Sequence, residues 1–213
     1  MTRDEAVTEV QRGLGFRTDL ATEIITALKT VQSELERRAT LPWFLLTEVA
    51  SASTVKDEER VPVPSDFLRE YEEDALHYFN GATGVADEDV WTPLAKDDLE
   101  FLRDELPGSG APQAYALDVK YFRVFPTPDA VYTLKQIYYK TDTVLNSNIE
   151  NQWLKYAHAL LIGEAGIKIA SGLRDKEGLP LFQSMAQRGA NDLLVENEAR
   201  AHEGRRYIMG GPD

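Results

Sequence analysis

Only a few residues in this sequence have the types and spacing that enzyme chemistry requires. The 213-residue chain contains three histidines, His77, His158 and His202, and no cysteine. None of the histidines belongs to a zinc motif such as His-Glu-x-x-His, and the lack of cysteine excludes disulfides, thiolate metal ligands and cysteine nucleophiles. No Gly-x-Ser-x-Gly motif supports a serine–histidine pair, although the fold could still bring one together. The sequence nominates no catalytic residue, and we expect that the protein is not an enzyme.

Glycine-rich and acidic segments are the remaining candidates for ligand binding. The segments 81–84 and 108–110 are rich in glycine, but neither is followed by the Lys-Ser/Thr pair of a phosphate-binding loop. Acidic residues cluster at 70–74, 87–89 and 97–100, without the glycine and the closing glutamate of a calcium loop. These patterns are typical of turns and solvated surface, so we expect no cofactor and no metal.

The composition indicates a water-soluble protein with a strong negative charge. The chain carries 36 acidic and 23 basic side chains, a formal net charge of −13, and 43% of its residues are hydrophobic. Such a balance disfavours a protein that wraps nucleic-acid phosphates. The most apolar stretch, 157–170, contains Glu164 and Lys168 and is too short to span a bilayer. The N-terminus lacks the layout of a secretory signal, so we expect a protein made and initially kept in a cytoplasm.

Both ends of the chain show helical periodicity. Thr2 and Glu5 form a capping box for a helix that Gly13 and Gly15 end, and Thr18 is predicted to cap a second helix that ends near Thr40. After residue 146, apolar and small residues recur every three or four positions and predict a closely packed seam: Trp153, Tyr156, Leu160, Gly163, Ile167 and Ala170. A further helix has Pro180 in its first turn.

The middle of the chain shows the patterns of β-structure. We predict an extended segment over 43–55, a polar turn at 56–59, an edge strand at 61–64, and short helices at 65–71 and 97–107. The segments 121–125 and 131–139 are predicted to pair as a hairpin around the turn 126–129. The whole is an α+β protein, with a helical bundle from 1–41 and 147–203, a β-rich insertion over 42–146 and an extended C-terminal tail over 204–213.

Two segments are candidates for binding a partner protein. The first is the tail, which is basic, then apolar: Arg205, Arg206, Tyr207, Ile208 and Met209. The second is the polar turn Lys56, Asp57, Glu58 and Glu59, which is the tip of a hairpin that extends beyond the domain or else part of an ordinary sheet. We expect the tail to contact one partner and the tip to contact another.

The order of several short motifs resembles one protein family. These motifs are Leu41-Pro42-Trp43-Phe44-Leu45, Val61-Pro62-Val63-Pro64-Ser65-Asp66-Phe67-Leu68, Phe125-Pro126-Thr127-Pro128-Asp129 leading into a strand that ends with Tyr138-Tyr139, and Asn151-Gln152-Trp153-Leu154. Spread over roughly 2–203, they resemble the head-to-tail adaptor proteins of tailed bacteriophages, in particular the tail tubular or gatekeeper-type connectors of short-tailed phages.

The resemblance implies a structural role in the virion. Members of that family form a ring, usually of twelve copies, beneath the portal protein; the ring extends the DNA channel and offers a platform to tail or nozzle proteins. It also implies that the tail over 205–209 engages the portal, and that genomic DNA passes without sequence-specific binding. Two alternatives remain: a small cytoplasmic helical protein-binding module, and a metal-dependent enzyme that uses clustered carboxylates.

Overall fold

Helices form one unit of the chain, and strands form most of the other. The computed structural model describes residues 1–72, 75–79, 91–146 and 151–208, with backbone alone for 50, 51 and 201–208. The helical unit is formed by Met1–Leu45 and Asp142–Asp213, and the sheet unit by Leu46–Thr141. The predicted α+β class is confirmed.

The first helix of the helical unit begins and ends as local sequence signals specify, whereas the second differs from the prediction at both ends. Helix α1, Arg3–Gly13, has the predicted capping box, in which Thr2 and Glu5 bond each other's backbone N–H groups. Helix α2 is Ala21–Leu35, and its inner face is an apolar stripe that recurs every three or four residues, formed by Ile24, Leu28, Val31 and Leu35. The prediction that Thr18 caps α2 is wrong, because Thr18 begins a single 3-10 turn and α2 starts after it. Helix α2 also ends five residues earlier than expected.

Three further helices come from the C-terminal part of the chain. They are α4, Gln152–Tyr156, α5, His158–Leu173, and α6, Gly178–Ile208, the last with Pro180 in its first turn as predicted. The expected continuous helix over 153–170 is interrupted at Ala157, whose backbone leaves the helical conformation (φ −135°).

Helices α5 and α6 approach each other closely where glycines remove the side chain. A Cβ added to Gly163 would lie 2.4 Å from the backbone nitrogen of Ala186, and one added to Gly189 would lie 2.4 Å from that of Leu160. Contact between the two backbones at this distance requires glycine, so the close approach predicted at Gly163 is confirmed, whereas the predicted seam residue Tyr156 is exposed at the end of α4.

A buried polar network holds the start of α4 against α2. Asn151 is 1% exposed and caps α4 by accepting the N–H of Leu154 at 3.1 Å. Its amide nitrogen donates to the carbonyl oxygen of Thr143 at 2.7 Å and to the side-chain oxygen of Gln32 at 3.3 Å. Gln32 donates in turn to Glu36 at 2.9 Å. Because the side chains of Asn151 and Gln32 are buried, the loss of a partner would leave a polar atom of either one without compensation.

The sheet unit contains two principal sheets. The first has the order β1-β11-β4-β5, with β3 also paired to β11, and the second has the order β2-β9-β8-β6. A short parallel pair joins β7 and β10. The strands are β1 Leu46–Ser53, β2 Arg60–Pro62, β3 Phe67–Glu70, β4 Leu76–Phe79, β5 Trp91–Pro93, β6 Ala95–Lys96, β7 Ser109–Gly110, β8 Ala114–Asp118, β9 Tyr121–Phe125, β10 Thr127–Pro128 and β11 Thr133–Lys140.

The two principal sheets share one apolar core. Leu76 and Leu134 from the first sheet pack with Val61, Phe122 and Val124 from the second, and all five are at most 1% exposed. Helix α3, Leu99–Glu105, covers the other face of β8 and β9 through Leu102. Asp98 caps this helix, so the short helix predicted over 97–107 is confirmed.

Three predictions for the middle of the chain are wrong. The segment 43–55 is not extended from its start, because residues 43–45 form a 3-10 turn and β1 begins only at Leu46. Strands β9 and β11 do not form a hairpin: β9 pairs with β8 and β2, whereas β11 pairs with β1, β3 and β4. Both strands bury alternate residues in the shared core, and this pattern is the same for neighbouring strands and for strands in opposite sheets. The segment 65–71 is not a helix, because Phe67 begins β3 and its ring packs against Phe122 and Tyr138.

Candidate partner-binding surfaces

The C-terminal helix extends well beyond the helix it packs against. Helix α5 has 16 residues and α6 has 31, so α6 is longer by about 22 Å at 1.5 Å per residue. Gly189 of α6 lies level with Leu160, close to the first residue of α5. The part of α6 that follows, Asn191–Ile208, is here called the C-terminal arm.

One tryptophan from the N-terminal half of the helical unit holds the base of this arm. The backbone N–H of Trp43 donates to the side-chain oxygen of Asn197 at 3.1 Å. The guanidinium carbon of Arg200 lies 3.5 Å from the centroid of the Trp43 ring, in cation–π contact. Arg200 also forms an ion pair with Glu196 at 3.2 Å, one helical turn earlier. Trp43, Asn197 and Arg200 are here called the arm anchor.

Trp43 is itself held in place by an aromatic cluster. Its ring centroid lies 4.8 Å from that of Tyr156 and 5.8 Å from that of Phe44. Phe44 makes an edge contact with Trp153 at 5.1 Å, and Trp153 is 1% exposed. The cluster therefore connects the arm anchor to the interior of the helical unit.

The arm begins with exposed apolar side chains next to a groove. Leu194 is 52% exposed and Val195 is 68% exposed. The groove has a volume of about 300 Å³, and its walls include Leu35, Pro42 and Leu194. Exposed apolar residues beside a concave surface are typical of places where proteins contact one another.

The backbone of four predicted tail residues, 205–208, forms the end of the arm. The backbone is helical as far as Ile208, so 204–208 is not extended as expected from the sequence. The reason is that the first Gly-Gly-Pro sequence, which would end a helix, comes only at 210–212. The side chains of Arg205, Arg206, Tyr207 and Ile208 and the whole of Met209 lie outside the described residues. Their role in binding a partner stays a prediction.

The predicted polar tip is a compact turn rather than the end of a long hairpin. Strands β1 and β2, which flank it, belong to different sheets. Glu58 donates its N–H to the carbonyl of Val55 at 3.1 Å, and Asp57 has a left-handed backbone (φ 64°). The N–H of Asp57 donates to the carbonyl of Pro128 at 2.8 Å. The side chains of Lys56, Asp57 and Glu58 are exposed on a turn with a fixed backbone.

The last tip residue, Glu59, is engaged inside the sheet unit. It forms ion pairs with Arg123, which is 7% exposed, and with Arg103 at 3.5 Å. Arg123 also contacts Asp118 at 3.2 Å. A buried guanidinium needs such counter-ions, so Glu59 stabilises the fold whatever else it contacts.

A tyrosine–aspartate pair stiffens the connection on which the tip rests. The hydroxyl of Tyr132 donates to Asp129 at 2.6 Å, and this hydrogen bond to a carboxylate raises the pKa of Tyr132 above its ordinary value. The backbone N–H of Tyr132 donates to Thr54 at 2.8 Å. These bonds link the residues that precede the tip to those that follow Pro128.

The other candidate chemical groups do not form a site in the described part of the chain. There, no three histidine, aspartate or glutamate side chains lie together so that they could hold a metal ion. His158 is exposed at the start of α5. The segments 81–84 and 87–89 and residues 73 and 74 lie outside the described residues. No helix in the described ranges is both long and apolar enough to cross a membrane.

Sequence reasoning missed the arm anchor. Trp43 belongs to the motif at 41–45, but the residues around it do not indicate that it contacts Asn197, 154 positions later. The sequence does show that Asn197 and Arg200 are three positions apart, so that their side chains share one face of a predicted helix. That spacing alone does not name the partner.

Comparison with known proteins assigns the chain to a family. No curated protein matches it. The family model described as SU10 adaptor protein matches residues 1–208, which include both units and the arm. A match of this extent covers every element that positions the anchor and the tip. The chain therefore belongs to the SU10 adaptor protein family, whose members are structural adaptors of bacteriophages.

Proposed function

We propose that this protein is the head-to-tail adaptor of a tailed phage, which binds the portal protein as a ring and provides the platform for tail or nozzle proteins. The observation that carries the proposal is the family match over residues 1–208, since family membership implies association with portal and tail proteins. The ring has twelve copies, extends the DNA channel and lies at the virion neck after assembly in the host cytoplasm.

The C-terminal arm is the element we assign to the portal. It is the part of α6 that continues past α5, and its base presents the exposed Leu194 and Val195. Its end carries Arg205 and Arg206 in a chain whose net charge is −13. A basic and apolar end on a long helix suits a binding site on another protein better than a place in the chain's own core.

The net negative charge of the chain is compatible with free passage of DNA and with ring assembly on the portal protein. An acidic surface does not bind DNA phosphates, because like charges repel and no counterions are released. The same charge opposes the packing of copies side by side, with a range of about 8–10 Å at ordinary salt. We expect the isolated protein to be monomeric and the portal to supply the free energy for ring formation.

The polar tip is assigned to a contact with a neighbouring copy or with the tail. Lys56, Asp57 and Glu58 project from a turn whose backbone is fixed by Pro128, so little order is lost when they bind. Trypsin cleavage after Lys56 should therefore be slower in the assembled ring than in the free protein. Equal cleavage rates in the two states would contradict this assignment.

Mass photometry tests the ring. The isolated protein has a monomer mass of 23.9 kDa, which is too small for reliable mass photometry, so analytical ultracentrifugation measures its oligomeric state. Addition to the portal ring encoded in the same genome should raise the portal mass by about twelve monomer masses. No increase at any salt concentration would contradict the adaptor function, and a single added copy would favour the small protein-binding module.

A pair of matched variants tests the arm. Arg205→Ala with Arg206→Ala removes two positive charges at the end of α6, and Lys29→Ala with Lys176→Ala removes two exposed charges elsewhere in the helical unit. We expect the first pair, like deletion of 205–213, to weaken portal binding, and the second pair to leave it unchanged. Equal affinities for both pairs and for the deletion would remove the arm from the portal site.

A further inference from the structure

We propose that Trp43 is a positioning residue that sets the direction of the C-terminal arm, so that partner binding depends on a residue far from the binding end. This inference rests on the proposed role of the arm in portal binding. The evidence is the pair of contacts that one tryptophan makes with α6: a backbone hydrogen bond to Asn197 at 3.1 Å and ring stacking on Arg200 at 3.5 Å.

The position of these contacts makes them decisive for the arm. Gly189 lies level with Leu160, two residues after α5 begins, so little of α5 remains beside the helix further on. The next turns border a groove that Leu35 of α2 and Trp153 of α4 also line, and their hydrogen bond and cation–π contact come from Trp43, in the connection between α2 and β1. Asn197 and Arg200 are about 12 and 16 Å beyond Gly189 along the helix.

The two contacts also differ in direction, and together they fix an orientation. The hydrogen bond joins a side chain of the arm to the backbone of residue 43, whereas the stacking joins the arm to the plane of the Trp43 ring. The ring itself is supported by Tyr156 and Phe44 in the aromatic cluster. Arg200 is held against the ring by its ion pair with Glu196. One contact alone would leave the helix free to turn about it.

Small errors in direction at the anchor are magnified at the end of the arm. Ile208 lies 11 residues past Asn197, about 16 Å along the helix, so a tilt of about 10° displaces it by about 3 Å. A displacement of this size exceeds what a fixed protein interface accepts without rearrangement. An arm that is not held in place must be ordered when it binds, and that ordering reduces affinity.

Variants at Asn197 test the inference without disturbing the aromatic cluster. Asn197→Asp keeps an oxygen that accepts the Trp43 N–H, whereas Asn197→Leu removes it at similar size. We expect Asn197→Leu to weaken portal binding about fivefold, as the loss of one hydrogen bond would, and Asn197→Asp to bind as wild type. Arg200→Ala should act like Asn197→Leu, and Arg188→Ala, which removes an exposed arginine of α6 outside the anchor, should have no effect.

Hydrogen exchange in the free protein provides a readout that does not depend on the portal. The amides of 201–208 should exchange faster in Asn197→Leu and Arg200→Ala than in wild type, while far-UV circular dichroism stays unchanged. If deletion of 205–213 abolishes portal binding but the anchor variants retain wild-type affinity and exchange, the positioning role is refuted and the proposed function stands. If that deletion leaves portal binding unchanged, the arm is not the portal site. Faster exchange in the anchor variants would then still support Trp43 as the residue that positions the arm.

Discussion

Gly163 lies where α5 and α6 are closest, and replacing it tests how that contact stabilises the helical unit. A Cβ at this position would be 2.4 Å from the backbone nitrogen of Ala186 and 2.8 Å from its Cα. Ordinary contacts begin at 3.4 Å, so the two helices must move apart by about 1 Å. The backbone of α6 cannot rotate away as a long side chain could.

Two opposing free energies decide the effect of Gly163→Ala. Alanine favours the helix over glycine by about 1 kcal/mol. Forcing extra volume into a packed contact costs about 1–3 kcal/mol, and the upper part of that range applies because both partners are backbone. The displacement would also loosen the packing around Phe182, which is fully buried between the helices. We expect a net loss of about 1–2 kcal/mol in the free energy of unfolding.

Gly172→Ala is the matched control, because it makes the same substitution in the same helix. Gly172 is exposed near the end of α5, and a Cβ there would meet no atom within 4 Å. Only the helix propensity then acts, so this variant should be more stable than wild type by up to about 1 kcal/mol. The two substitutions are expected to change stability in opposite directions.

Urea unfolding followed by circular dichroism at 222 nm measures both variants, because this signal comes mainly from the helical unit. At about 2 kcal/mol per molar urea, Gly163→Ala should lower the midpoint by roughly 0.5–1 M. A Gly163→Ala protein as stable as wild type would refute the reasoning, since it would mean that α5 and α6 are not in backbone contact. Destabilisation by Gly172→Ala would show that propensity is not the controlling term at the control site.

Two further predictions concern buried polar groups. Asn151→Ala removes the cap of α4 and leaves the Thr143 carbonyl without this donor, so it should lower the free energy of unfolding by about 2–3 kcal/mol. The control Asn191→Ala, at an exposed position, should change it by less than about 0.5 kcal/mol. Urea midpoints measure both variants. Burial and the hydrogen bond that its hydroxyl donates to Asp66 raise the pKa of Tyr138 to about 12. Because this tyrosine ionises first in the unfolded chain, its contribution to the free energy of unfolding is present below pH 10 and is lost between pH 10 and 12. The stability difference between wild type and Tyr138→Phe should fall by about 0.8 kcal/mol between pH 8 and pH 10.5, and a pH-independent difference would contradict the shift.

The candidate binding residues that the sequence identifies differ from those that the structure adds. The sequence identifies the basic end of the arm and the tip as candidate binding segments, because their residue types differ from those of the neighbouring segments. The structure adds the anchor, whose members Trp43, Asn197 and Arg200 are unremarkable one by one. It also shows that Glu59, which reads as one more exposed charge, is the counter-ion of a buried arginine.

Features that depend on neighbours within a few residues follow from the sequence alone. The capping box of Thr2 and Glu5, the cap of α3 and the glycine at 163 follow from backbone hydrogen bonds and from helical spacing, which act locally. The alternation in β11, with Leu134, Gln136 and Tyr138 buried, follows equally from the period of a strand.

The pairing of elements that are distant in the chain depends on tertiary packing and does not follow from local sequence. The partner of β11, the strand in place of a helix at Phe67 and the anchoring of α6 by Trp43 all join residues far apart in the chain. An alternating strand buries the same side chains against any apolar surface, and a helix face accepts any complementary contact. These choices are made by the packing of the complete chain, because the free energy that distinguishes them exists only once both partners are in place.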